Sequence, residues 1–253
     1  KRSSGDDMIK QKKPFETPER RQERINKMIH KIETEKADAS IAIGYGVVDA
    51  TAATTGQISS IAFPDNKEDI YLSWIGAGLG IGVVGGLTIL FNHEQILLDI
   101  FEGWHYYRQY LEKIPLLKGN QINTWNGRWI SQRYGREYDS DDPLMNFNPL
   151  VPMSDGLFNL QTVPWAEVIV GIARNNPTSN MVGYLYSIGQ TNTTVGFIPF
   201  KLQDIIRPSQ LYAKIFGESV WMQNRKKVEA LYGTAIGLRA ACQAGCIGIP
   251  AME

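Results

Sequence analysis

The chain of 253 residues holds two cysteines and three histidines, and that scarcity excludes several function classes at once. Cys242 and Cys246 lie four apart near the C-terminal end. They are too few for a disulfide scaffold and lack the second pair a structural zinc needs. On a helix they share one face, as two small buried thiols. Equally missing are a Gly-rich loop ending in Lys-Ser/Thr, an HExxH, a paired CxxC and a GxSxG elbow. The histidines, His30, His93 and His105, lie on or beside amphipathic segments, so no positioned acid–base group emerges. Nor is there net charge: Lys plus Arg and Asp plus Glu are 26 each, and attraction to a polyanion must therefore be local. The expectation is a chain that is not an enzyme and carries no cofactor. A tetrapyrrole metal held by His93 or His105 is kept as the alternative to ordinary polar roles for two histidines that lack a paired partner.

Apolar residues are plentiful, at 43%, enough for a core in one large domain or two small ones. They concentrate in Ile70–Phe91, a 22-residue run without a charge. As one helix it would extend about 33 Å, sufficient to cross a hydrocarbon core of roughly 30 Å. Gly76, Gly78, Gly80, Gly82 and Gly86 recur in it at spacings of four, forming small-xxx-small ridges that let a neighbouring helix approach closely. Tyr71 and Trp74 sit where an aromatic belt would place them.

Two other readings of the run stay open. In one it is a helix followed by a buried strand, with a break at Gly85-Gly86 and Leu87–Phe91 as the strand. In the other, Gly80-x-Gly82-x-x-Gly85 with Asp99 beyond it is a dinucleotide fingerprint, which requires a strand before the first glycine and a helix opening at the last.

Around the run the chain divides by composition. Residues 1–36 form a charged arm in which Thr17 caps a helix with Pro18 at its first position. Ile25, Met28, Ile29 and Ile32 make a narrow apolar stripe on it, suited to a partner, to a membrane surface or to the chain's own domain. Residues 37–69 turn abruptly to small, β-branched and uncharged side chains. Residues 92–115 predict an amphipathic interfacial helix ended by Pro115, with Trp104, Tyr107 and Leu111 among its interface residues. In residues 116–253, irregular stretches alternate with helices. There, Trp125, Trp129, Tyr134 and Tyr138 interleave with Arg128, Arg133 and Arg136, a mixture that suits phosphate or lipid headgroup contact. The uncharged Asn175–Phe200 reads as a loop or short strands resting on protein. A docking helix broken at Pro208 follows, with Leu211, Tyr212, Ile215 and Phe216 on one side, and then a small-residue segment around Arg239.

These features predict a mainly α fold: a single Gly-rich transmembrane helix over 70–91, flanking amphipathic helices and long irregular extramembrane segments. The expected function is that of a non-catalytic structural subunit packed into a larger membrane complex of an organellar or bacterial energy-transducing membrane. Its partners would be neighbouring subunits and lipid. The alternative is a soluble helical subunit of a ribonucleoprotein complex, with nucleic acid as the partner of the three arginines.

Overall fold

A computed structural model describes residues 17–34, 67–114, 116–117, 121–177, 180–187 and 193–224. The expectations for the first half of the arm, for most of the small-residue segment, for the Cys242/Cys246 face and for the helix around Arg239 fall outside those residues.

The fold is mixed, and the glycine run is where the mainly α expectation fails. Helix α1 (Pro18–Thr34) starts as its sequence requires, with the Arg20 amide donating to Thr17 Oγ1 at 3.3 Å. Helix α2 (Lys67–Gly78) then takes only the first part of the uncharged run. Strands β1 (Ile81–Val83) and β2 (Leu87–Phe91) take the rest as a hairpin. Its turn places Gly85 at φ 97° and Gly86 at φ 75°, a left-handed conformation that favours glycine. Among the described residues no helix is long and apolar enough to cross a membrane. The transmembrane helix and the membrane character inferred from it are therefore corrected. Six glycines weaken a long helix, while Ile81, Val83, Thr88 and Ile89 favour a pleated surface. The observed arrangement is the helix-plus-strand reading, with one strand more.

Helix α3 (Glu94–Lys113) follows, close to its expected bounds. Where periodicity fails in the sequence, helix α4 (Ile122–Arg133) runs through the middle of the protein. A two-stranded hairpin, β3 (Leu150–Pro152) with β4 (Phe158–Leu160), leads to helix α5 (Trp165–Asn175). The uncharged stretch after α5 forms β5 (Asn180–Ser187) and β6 (Thr193–Lys201). Helix α6 (Leu202–Phe216) runs through Pro208 without the predicted break and ends at Gly217, φ 89°. Residues 218–224 add a last helical stretch.

The main sheet has the order β1-β2-β5-β6, antiparallel throughout. One face carries Ile89, Phe91, Leu185 and Phe200, all buried, with Phe91 and Phe200 edge to face at 5.1 Å. Two close approaches lock α4 into the core. A Cβ on Gly82 of β1 would lie 2.9 Å from the Asn123 backbone, and a Cβ on Gly103 of α3 would enter the Trp129 indole. Tyr107 of α3 stacks on Trp125 of α4 at 5.0 Å, completing a dense aromatic seam.

Candidate functional site

Helix α4 organises its surroundings through two asparagines one turn apart. Asn126 is completely buried; its Nδ2 donates to the carbonyls of Gly78 (2.7 Å) and Gly80 (2.8 Å), and its Oδ1 accepts from Trp104 Nε1 at 3.0 Å. Asn123 Nδ2 donates to Ala77 O and Gly80 O at 3.0 and 2.9 Å. The Tyr186 hydroxyl is a second donor to Ala77 O, at 2.9 Å. The orphan carbonyls at the end of α2 are thus satisfied by side chains distant in sequence, which is why a glycine-rich helix end can stop inside the protein.

At the other end of α4 lies a buried carboxylate. Asp99 is 4% exposed and accepts from Tyr134 Oη at 2.7 Å, Gln95 Nε2 at 3.1 Å and Arg133 Nη2 at 3.4 Å. Burial first, and then the adjacent Asp99 carboxylate, push the Tyr134 phenol well above its ordinary pKa. Arg133 also lies 4.7 Å from the centroid of the Tyr138 ring.

The three arginines proposed for phosphate or headgroup contact are accordingly not presented together. Arg133 is committed to Asp99, and Arg128 Nη2 reaches the Asn148 carbonyl at 3.5 Å. Arg136 lines a concavity. Trp104, Tyr107 and Leu111, expected at an interface, pack within the chain: Trp104 on Asn126, Tyr107 under Trp125, and Leu111 against the core. The glycines expected on one helical ridge lie on three kinds of element. Gly76 and Gly78 are in α2, near Leu90 and Trp104; Gly80 and Gly82 are closed in by Tyr186 and by α4; Gly86 is in the hairpin turn. The fingerprint reading fails on the same geometry, because Gly80 follows a helix and Gly85 opens no helix. His93 is the N-cap of α3 and His105 lies more than three turns further on, and no group of three metal-ligating side chains gathers among the described residues.

Two surface features were not foreseen. The first is a cleft of about 230 Å³ between α5, α6 and the turn after α4, where Arg136 and Arg174 converge with Glu218 over a floor of Val170, Ile206 and Trp221. Arg174 is held in place by donating to the Tyr134 carbonyl at 3.3 Å. Arg136 touches Met222 Sδ at 3.1 Å and faces the Trp221 ring at 6.0 Å. Trp221 reaches the cleft because the positive φ of Gly217 turns the chain back, its amide accepted by the Gly217 carbonyl at 3.0 Å. The second is a cross-strand row on the outer sheet face, Leu90, Tyr184 and Phe197, directly paired in register. Leu90 approaches Gly76 of α2, whereas Phe197 is 74% exposed.

The sequence contained signals for part of this. Asparagines at i and i+3 between tryptophans, in a helix that must bury the tryptophans, mark side chains needing internal partners. Nothing local marks Arg174 or Trp221 as neighbours of Arg136. Compared with known protein families, with characterised proteins and with solved structures, the chain shows no significant match.

Proposed function

We propose that the protein is a non-catalytic packing subunit of a multiprotein assembly, seated on its neighbour through the outer face of the four-stranded sheet. The observation that carries this reading is the Leu90–Tyr184–Phe197 row. Tyr184 and Phe197 lie with ring centroids 4.9 Å apart, and Val182 is exposed on the same face. Burying a Phe side chain fully stabilises by about 1.5–3 kcal/mol. A rigid aromatic pair of this kind is the usual centre of a protein interface.

Apolar side chains on other elements suit a subunit with more than one neighbour. Ile25, Met28 and Ile29 of α1 are exposed, as are Leu211, Ile215 and Phe216 of α6. The nucleic-acid alternative has less in its favour, because Arg133 is neutralised by Asp99 and the other two arginines face different surroundings.

A photo-crosslinking residue placed at Phe197, in the full chain in its native host, tests the reading. The expected result is one discrete adduct with another chain, absent when the same residue replaces the exposed Glu137. Failure to form such an adduct, or equal labelling at both positions, overturns the proposal.

A further inference from the structure

We propose that the neighbour seated on the sheet face is a second copy of this chain, each copy laying its helix α1 across the open half of the other's sheet. The inference rests on the docking role given to that face and supplies its partner.

The open half of the face has the dimensions of a helix. Helix α2 lies over one end of it, where a Cβ on Gly76 would meet Leu90 and where Ala77 O accepts from Tyr186 Oη at 2.9 Å. Beyond that end, Val182 of β5 and Phe197 and Pro199 of β6 are exposed. Strands β5 and β6 hold 8 and 9 residues, so the pair runs about 27–31 Å and is about 10 Å wide. Helix α1, at 17 residues, is about 26 Å long and about 10–12 Å across.

A strand is the wrong occupant. The Val182 carbonyl accepts from the Asn92 amide at 3.3 Å, so the main-chain groups of Val182 point towards β2, and those of its cross-strand partner Pro199 point to the outer edge of the sheet. Proline brings no N–H to that edge, and a further strand could not complete its ladder there.

Helix α1 supplies the matching surface. Ile25, Met28 and Ile29 are between 42% and 49% exposed, at the i, i+3, i+4 spacing by which an amphipathic helix anchors itself in an apolar groove. The helix is fastened near its two ends, by Arg21 to Glu112 at 3.7 Å and by Tyr71 Oη donating to the Ile32 carbonyl at 3.2 Å. Tyr71 belongs to α2, which itself rests on the outer face. Stripe and open sheet are therefore displayed on one side of the molecule. That is the condition for an isologous dimer, in which each copy gives and receives the same element about a two-fold axis. The charges of the chain also cancel, 26 of each sign, so two copies approach without net repulsion.

The test is the mass of the full chain in solution, read by light scattering after size fractionation. The parent chain should have the mass of two chains. Ile29→Asp and Phe197→Lys, both at exposed positions, should each give the mass of one chain with an unchanged thermal melt. Mixed in equal amounts, the two variants should recover the two-chain mass, because one helix–sheet contact is then unaltered and the other sets a carboxylate opposite an ammonium. Stacking of one sheet face on another predicts instead that Ile29→Asp alone stays dimeric. The proposal is overturned by a parent chain with the mass of one, by a dimer that either single variant leaves intact, or by no recovery on mixing. A one-chain parent whose position 197 crosslinks to a different protein in the host would remove this inference and keep the docking role of the face; a one-chain parent without that adduct removes both.

Discussion

The Tyr134 phenol donates to Asp99 Oδ2 at 2.7 Å, joining the end of α4 to the first half of α3 across 35 residues of sequence. A neutral phenol is required for that bond. Burial, followed by the Asp99 charge, raises the Tyr134 pKa; burial, followed by Tyr184, raises that of Tyr186.

The sign of the resulting pH dependence follows directly. The unfolded phenols lose their protons near pH 10 while the folded ones keep theirs, so the native state binds more protons and stability falls as pH rises past about 10. Each phenol contributes a slope of at most about 1.4 kcal/mol per pH unit. Urea midpoints measured between pH 8 and 11.5 should be level at first and then decline. Tyr134→Phe should start less stable and decline less steeply; an identical slope in the variant would remove the argument.

Asn126→Ala deletes the donor to the Gly78 and Gly80 carbonyls and the acceptor of Trp104 at a site without solvent. The orphaned groups predict a loss of about 2–4 kcal/mol in chemical denaturation. Asn126→Asp should be worse than alanine, because a carboxylate there faces two carbonyl oxygens. Greater stability in the aspartate variant would show that the amide is not the donor.

Glycines of similar appearance should respond differently. Gly103→Ala drives a methyl into the Trp129 indole, and Gly82→Ala presses on the backbone of α4, which cannot rotate away. Each is expected to cost about 1–3 kcal/mol by overpacking. Gly85→Ala meets open space and bears only the strain of its positive φ, about 1 kcal/mol. Denaturant midpoints for the three variants, ranked otherwise, would contradict the packing described.

Gly217→Ala probes the cleft through its backbone. At φ 89° and ψ 151° this residue occupies a region almost confined to glycine, and nothing lies within 4 Å of an added Cβ. A loss of about 1–3 kcal/mol is expected from strain alone. Trp221 should shift at the same time, read as a change in tryptophan fluorescence that Gly85→Ala does not produce.

Much of the chain was legible where local signals agree. Thr17-Pro18 begins α1, the apolar face of Leu97 to Ile114 gives α3, and the charge-free Asn175–Phe200 rests on protein as strands. The glycine run is ambiguous in sequence because length and lack of charge fit a span, a buried helix and a hairpin alike; only the pairing of β2 with β5 decides among them. Helix α4 was invisible for a related reason. Trp125, Asn126, Gly127 and Trp129 have modest helix propensity, and their helix is sustained by Gly103, Gly82 and the α2 carbonyls, none of which is local. The arginines were identified as basic residues among aromatics, but the sequence does not reveal that Asp99 claims one and Arg174 joins another.

Strand β2 reaches its partner late: Phe91 pairs with Gly183, and everything from α3 to α5 is synthesised in between. During translation Ile70–Phe91 therefore leaves the ribosome as an uncharged run with no sheet to enter. To the machinery that sorts nascent chains by apolar length, it meets the first criterion for insertion into a bilayer. Its six glycines lower both its hydrophobicity and its strength as a helix. The residues that shape the hairpin in the finished protein thus also weaken the same run as one continuous helix before its sheet exists.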